Sequence, residues 1–126
     1  MTVVDDTIAE FGRSMGIDDL RLNESGTVVL SVQSLGLLGL DRAGARGESV
    51  LVSLTRPLPP VCEGKWSALL AATHPQSHPP AGLQIGVIRE QLVLAMLIEL
   101  GEFTLPRIHE VIGYLDRQHA SLEAGP

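Results

Sequence analysis

The longest apolar segment of this 126-residue chain covers residues 82–100, and it constrains the fold more than any other stretch. It is interrupted in the middle only by Arg89, Glu90 and Gln91. A single membrane-spanning helix would bring these polar residues to the centre of the bilayer, where charged side chains are costly. Alternation at period two on both sides of the break instead predicts two strands joined by a tight turn.

Both arms of this predicted hairpin are apolar. The first arm carries Leu83, Ile85 and Val87 on one face. One face of the second arm carries Leu92, Leu94, Met96, Ile98 and Leu100. Its opposite face carries Val93, Ala95 and Leu97. Because both faces need covering, we expect a helix on one side and a second copy of the protein on the other.

Composition predicts one globular domain spanning residues 1–126, since 44% of the residues are hydrophobic and 19% are charged. A net charge of -6, only nine Lys and Arg residues and 3% aromatic residues argue against nucleic-acid binding. Cys62 is the single cysteine, which excludes an internal disulfide and a cysteine zinc cluster. Without a basic start or an apolar h-region, the N-terminus predicts no secretory signal. We expect a cytoplasmic protein with no membrane partner.

Periodicity and turn residues predict the order α-β-β-β-α-β-β-α, an α+β fold with a twisted antiparallel sheet. Asp5 or Asp6 is predicted to cap the first helix, and Gly16 to end it. Residues 27–32, 35–40 and 49–55 are predicted strands of a meander, with a polar loop at 41–47. In the third strand, Val50, Val52 and Leu54 are predicted to point inward and Leu51 outward.

A central helix is predicted after the prolines at 57–60. Its apolar stripe comprises Cys62, Trp66, Leu69, Leu70 and Thr73. A proline-rich connector at 73–82 then leads to the hairpin. Thr104 is predicted to cap the last helix, with Phe103 packed on Ile108. The apolar face of this last helix comprises Ile108, Val111, Ile112, Leu115 and Leu122.

The four histidines are candidate metal ligands. His74 and His78 have a plausible ligand spacing, but their connector offers no carboxylate or cysteine as a third ligand. His109 and His119 are ten residues apart on the last helix, so we interpret them as solvated. The sequence therefore predicts no metal and no other cofactor.

The candidate catalytic groups are one cysteine and two acidic pairs. Cys62 lies beside Glu63 without a recognisable base or oxyanion donor, which favours a buried thiol over a nucleophile. The acidic pairs at 5–6 and 18–19 are explained by helix capping and solvation. Because no phosphate-binding glycine loop or dinucleotide fingerprint is present, a small hydrolase is the least favoured hypothesis and we expect no enzymatic activity.

Three short motifs carry a resemblance to a known family. They are Ile8-Ala-Glu-Phe-Gly12 with Met15-Gly-Ile17, Leu69-Leu-Ala-Ala72, and Gly82-Leu-Gln-Ile-Gly86. Together with the element order, they make the chain resemble, over nearly its full length, the class I type III secretion chaperones, which are Tir chaperone-like proteins. The resemblance implies a bacterial cytoplasmic homodimer that hydrolyses no nucleotide, binds the N-terminal segment of a secreted effector in extended form and keeps it export-competent. The resemblance also makes the ATPase of the secretion apparatus a candidate partner.

The resemblance assigns roles to individual residues. The implied dimer interface comprises Trp66, Leu69, Leu70, Ile85 and Val87. The implied effector-binding set comprises Phe11, Met15, Leu35, Leu37 and Leu51. An alternative function is a structural or assembly subunit of a permanent hetero-complex that uses the same apolar faces. The two hypotheses differ in one observation, because an export chaperone is soluble alone as a homodimer, whereas an obligate subunit aggregates without its partner.

Overall fold

The structure is a computed structural model that describes residues 3–58 and 83–124. Its elements are α1 (Val3–Ser14), β1 (Thr27–Val32), β2 (Gly36–Ala43), β3 (Ser49–Pro57), β4 (Gln84–Ile88), β5 (Gln91–Glu99), a short 3-10 helix (Leu100–Glu102) and α2 (Leu105–Ala124). The predicted α+β fold class is confirmed. The predicted central helix and the connector at 73–82 lie outside the described residues.

The five strands form one antiparallel sheet in the order β1-β2-β3-β5-β4. Side chains alternate between its two faces, which we call the inner and the outer face. The inner face packs against α1 and α2 and carries the buried residues Leu38, Leu40, Val50, Val52, Leu54, Leu92, Leu94, Met96 and Ile98. The inward positions predicted for β3 are confirmed. In β5, Leu92, Leu94, Met96 and Ile98 share one face as predicted, and it is the inner face. Leu100, predicted to continue that face, lies in the 3-10 helix instead.

The predicted hairpin is also present. Ile88 pairs with Gln91, so Arg89 and Glu90 form a two-residue turn. Their φ angles are 49° and 65°, which is the backbone conformation of a type I′ turn. This turn type matches the twist of the two strands it joins.

Strand β2 extends to Ala43, beyond its predicted end at residue 40. The prediction that the loop begins at Asp41 is therefore wrong, because Asp41 lies in the strand. Asp41 pairs with Thr27 on one side and with Leu51 on the other. The Thr27 hydroxyl donates a 2.6 Å hydrogen bond to the Asp41 carboxylate. A polar side chain is retained inside the strand because its cross-strand neighbour supplies a hydrogen bond.

Close backbone approach explains one of the two glycines within β2. At Gly36, which has a φ of 120°, an added Cβ would lie 2.5 Å from the Thr55 carbonyl oxygen. The second and third strands therefore approach each other at a position where a side chain does not fit.

The two helix starts differ in how well they were predicted. Helix α1 begins at Val3, so Asp5 and Asp6 lie in its first turn rather than at its cap. Their carboxylates still interact favourably with the helix dipole there. Thr104 caps α2 as predicted, since its hydroxyl accepts a 3.3 Å hydrogen bond from the Arg107 backbone N–H. Gly16 has a φ of 82° just after α1, as predicted for the residue that ends it.

Candidate partner-binding surface

The outer face of the sheet exposes several large apolar side chains. The exposed fractions are 60% for Val29, 45% for Leu37, 62% for Ile88 and 44% for Leu97. Strand register places all four on the face that points away from α1 and α2. In the described part of the chain, only one other large hydrophobic side chain, that of Val3, is exposed. Exposed apolar side chains gathered on one face are typical of a surface that binds a partner.

Two residues of the predicted effector-binding set belong to this face. Leu37 is exposed on β2, next to the edge strand β1. Leu51 is half-buried on β3, where it pairs with Asp41 and with Leu97. The predicted outward direction of Leu51 is confirmed.

The other three residues of that set lie elsewhere. Phe11 is completely buried in α1, and its ring centroid lies 5.5 Å from that of His109. Met15 follows α1 and is half-buried against the core. Leu35 lies in the turn between β1 and β2. The structure therefore divides the set between both faces of the sheet, and a direct contact between Phe11 and a partner would require α1 to move.

Of the predicted dimer residues, Ile85 and Val87 lie on β4, an edge strand of the sheet. They pair with Leu94 and Leu92 and are half-buried against the core. Trp66, Leu69 and Leu70 lie outside the described residues.

A polar cluster joins α2 to the sheet near the turn that carries Leu35. Arg56, on β3, has a side chain that is 13% exposed. Its Nε donates a hydrogen bond to the Leu35 carbonyl oxygen, and its guanidinium pairs with Asp116 and Glu123 on α2. A cavity of about 380 Å³ opens beside it, lined by Gln33, Ser34, Leu35, Gly36, Arg56, Asp116 and Glu123. Arg56 thus fixes the turn carrying Leu35 to the last helix.

The interpretation of His119 as solvated is wrong, because its side chain is completely buried. Its Nε2 lies 2.7 Å from the Leu54 carbonyl oxygen. A carbonyl only accepts hydrogen bonds, so Nε2 carries the proton and donates. Nδ1 is buried without a hydrogen-bond partner. His119 follows Leu115 by four residues, so the two side chains lie on the same face of α2. That face packs against the sheet, which explains why His119 is buried.

Burial lowers the pKa of His119 below its usual value. The Leu54 hydrogen bond opposes this shift, the positive charge of Arg56 adds to it, and the carboxylates of Glu123 and Asp116 oppose it. At neutral pH the imidazole is therefore uncharged, and it ties α2 to β3 through a single hydrogen bond.

Three of the four residues in the two acidic pairs line one cavity. Asp5, Asp6 and Asp19 line a cavity of about 550 Å³ at the start of α1, together with Ala9, Leu20, Arg21 and Leu22. Within residues 3–58 and 83–124, no three His, Cys, Asp or Glu side chains are arranged to hold a metal ion. His109, exposed on α2, lies 3.1 Å from the Ser14 hydroxyl through its Nε2.

Two outer-face residues were absent from the predicted set although the sequence carried a signal for them. Val29 occupies the alternate position within β1, and Ile88 ends the first arm of the hairpin out of phase with Ile85 and Val87. Period two within each strand assigns both to the outer face.

None of the helices among the described residues is long and apolar enough to span a membrane.

No protein-family model matches this sequence, and no match was found among curated proteins. Solved structures do match. The HopA1–SchA chaperone–effector complex has a TM-score of 0.76 and 19% identity, covering 95% of this chain and 92% of that chain. The Yersinia pestis type III secretion chaperone SycH, in complex with a stable fragment of YscM2, has a TM-score of 0.71 and 12% identity, covering 94% and 98%.

A third match is the heterodimeric ExoU–SpcU complex from the type III secretion system of Pseudomonas aeruginosa. Its TM-score is 0.65 at 20% identity, and the alignment covers 97% of this chain and 96% of that chain. These likenesses extend over almost the whole of each chain. The five-stranded sheet with its two described helices is therefore the fold of type III secretion chaperones.

Proposed function

We propose that this protein is a bacterial, cytoplasmic type III secretion chaperone of the class I, Tir chaperone-like group. It would bind the N-terminal segment of a secreted effector in extended form and keep that segment soluble and competent for export. The role is binding rather than catalysis. Contact with the ATPase of the secretion apparatus remains a prediction from the resemblance.

One observation carries this proposal. The chain shares its fold, over at least 94% of its length, with three proteins that were each solved in complex with a second protein. One of these complexes is described as a chaperone with its effector, and another contains a named type III secretion chaperone. The exposed apolar side chains of the outer face supply a surface suited to the same kind of task.

The edge strand β1 is the element we assign to backbone pairing with the effector. Within the described residues β1 pairs with β2 alone, so its other edge is open to an added strand. Backbone hydrogen bonds formed there tolerate many effector sequences. Val29 and Leu37, both exposed beside this edge, would select apolar side chains of the segment.

The energetics of such binding predict two properties of the effector segment. A segment without its own core loses conformational entropy only when it binds, so it should be disordered when free. Because the contact is mainly apolar, most of the affinity should survive high salt.

We assign the opposite edge of the sheet to a homodimer. Strand β4 pairs with β5 alone among the described strands, and the predicted dimer residues on it are Ile85 and Val87. The 13.5 kDa chain should then give twice its mass in light scattering. Leu70→Arg should yield monomer or aggregate, whereas Val29→Arg, on the far edge, should leave the dimer intact. An unchanged dimer in Leu70→Arg would show that the interface lies elsewhere.

Co-expression tests the proposal as a whole. The probe is the N-terminal fragment of the protein encoded beside this gene, because export chaperones are commonly encoded next to their effector. We expect the chain to be soluble alone and to form a complex with the fragment that elutes as one species of defined stoichiometry. A chain that is soluble alone but binds neither this fragment nor fragments of other exported proteins of the same bacterium would overturn the proposal. A chain that aggregates without a permanent partner would favour the assembly-subunit alternative.

A further inference from the structure

The two halves of α2 are anchored to the rest of the fold by different kinds of contact. The first half buries aliphatic side chains, which are those of Ile108, Val111, Ile112 and Leu115. In the described residues 116–123, the side chain that is completely buried is that of His119, and Leu122 is half-buried against the core. The second half is therefore docked mainly through a histidine.

The polar contacts of this second half lead to β3. The Nε2 of His119 donates a 2.7 Å hydrogen bond to the Leu54 carbonyl oxygen. The carboxylates of Asp116 and Glu123 pair with the guanidinium of Arg56. Because Leu54 and Arg56 are two residues apart on one strand, the histidine and the ion pairs hold the helix at the same place.

The docked arrangement favours a neutral imidazole over a charged one. A protonated histidine carries an N–H at both ring nitrogens. The Leu54 carbonyl accepts the N–H at Nε2, whereas Nδ1 is buried with no hydrogen-bond partner. The added proton would thus lie on an atom without an acceptor and out of contact with solvent, where a buried charge is costly.

The charged groups around His119 do not offset this cost. Burial is the largest influence on the histidine and lowers its pKa. Arg56, on β3, repels an imidazolium, while Glu123 and Asp116, on α2, attract it. Both carboxylates are already paired with Arg56, which weakens that attraction. The β1–β2 turn contributes residues 33–36 to the same corner, and none of these titrates.

We propose that His119 is an acid-operated latch, whose protonation releases residues 116–124 of α2 from β3 while the first half of the helix stays docked. The released imidazole reaches water and takes up a proton that the docked state disfavours. Below the ordinary histidine pKa of about 6.5, the ratio of released to docked helix should rise by up to about tenfold per pH unit, until the pH reaches the pKa of the docked histidine. The latch is independent of the proposed function, since it involves neither the outer face nor the two sheet edges.

Hydrogen exchange of the full chain at pH 7.5 and pH 5.5, corrected for the intrinsic exchange rate at each pH, tests the latch. A released helix end of this length frays, because short helices are marginal without tertiary packing. We expect protection of the backbone amides of residues 119–123 to fall roughly five- to tenfold at pH 5.5. Protection of residues 108–115 should change by less than about twofold.

Matched variants locate the effect. His119→Gln keeps a side-chain N–H donor but does not titrate, so its protection should be the same at both pH values. This variant retains Arg56, Asp116 and Glu123, so a wild-type loss of protection in it would belong to those groups and would overturn the latch. His109→Gln removes the exposed histidine of the first half and should behave as the wild type does.

The wild type alone also decides the question. Equal protection of residues 119–123 at both pH values overturns the latch, and so does a loss that extends equally over residues 108–115. If His119→Gln does not fold, NMR titration of the wild-type His119 imidazole replaces it. Proton uptake at the pH where protection of residues 119–123 falls supports the latch, whereas uptake without any loss of protection overturns it.

Discussion

The two faces of strand β5 differ although they are built from similar residues. Leu94, on the inner face, is 1% exposed, whereas Leu97, on the outer face, is 44% exposed. The helices α1 and α2 cover the first and leave the second open. The inner side chains of β5 therefore stabilise the fold, while on its outer face Leu97 stays exposed and the smaller Ala95 is 5% exposed.

The inner face is itself not uniform. Most of it is aliphatic, but at the corner near the β1–β2 turn Arg56 and His119 replace apolar contacts with hydrogen bonds to backbone carbonyls. Polar groups at this depth are directional, so they fix the position of α2 more precisely than aliphatic packing would.

The largest effect should separate the two faces of β5. Leu94→Ala removes buried methyl groups and should lower the free energy of unfolding by about 2–5 kcal/mol. Leu97→Ala should change it by no more than about 0.5 kcal/mol, because that side chain is already exposed. Urea denaturation measures both. Equal losses would mean that the outer face is covered within the folded chain.

The polar corner should give the next largest effect. Arg56→Met keeps the aliphatic stem but removes the donor to the Leu35 carbonyl, and we expect a loss of about 1–3 kcal/mol in unfolding free energy. Arg107→Met is the control, since Arg107 pairs with the exposed Glu110 one turn along α2. That pair should contribute under about 0.5 kcal/mol. A similar loss in both variants would refute the special role of Arg56.

Two glycines extend the comparison to backbone packing. At Gly12, a buried residue of α1, an added Cβ would lie 2.5 Å from the Leu20 Cβ. Gly12→Ala should cost about 1–2 kcal/mol, since overpacking exceeds the gain in helix propensity. Gly86, on the outer face of β4, has no atom within 4 Å of such a Cβ. Gly86→Ala should therefore be neutral or slightly stabilising in thermal unfolding, and a clear loss there would show that this face is occupied.

The smallest effect concerns pH. The folded state lowers the pKa of His119, so the unfolded chain binds that proton more readily. The stability contribution is fully present above the unfolded pKa of about 6.5 and is lost as pH falls through the folded-state pKa. His119→Gln should thus lose less stability than the wild type between pH 7.5 and 5. His109→Gln, at an exposed histidine, serves as the control, and its unfolding free energy should change with pH as that of the wild type does. If the unfolding free energy of His119→Gln also changed with pH as in the wild type, His119 would not be the group responsible.

Local rules predicted most of the described elements. Alternation predicted the inner residues of β3 and the residues that share one face of β5, and the hydroxyl of Thr104 was recognisable as a cap. The burial of His119 was also within reach, because it falls between Leu115 and Leu122 on the apolar stripe of α2. A polar imidazole favours a solvated position, but the place of His119 on the apolar stripe determines its burial.

The candidate site was harder to predict because exposure depends on which elements pack together. Phe11 and Leu37 are both apolar and both belong to periodic stripes, yet one is completely buried and the other is 45% exposed. The difference arises from α1 and α2 lying on the same side of the sheet, which is a tertiary property that no spacing encodes.

Hydrogen exchange of the effector fragment, free and bound, tests the central claim most directly. We predict rapid exchange along the free N-terminal segment and protection of a continuous stretch of it in the complex, reduced when the chaperone carries Leu37→Asp. Protection confined to a folded effector domain, with the N-terminal segment still exchanging freely, would contradict the account.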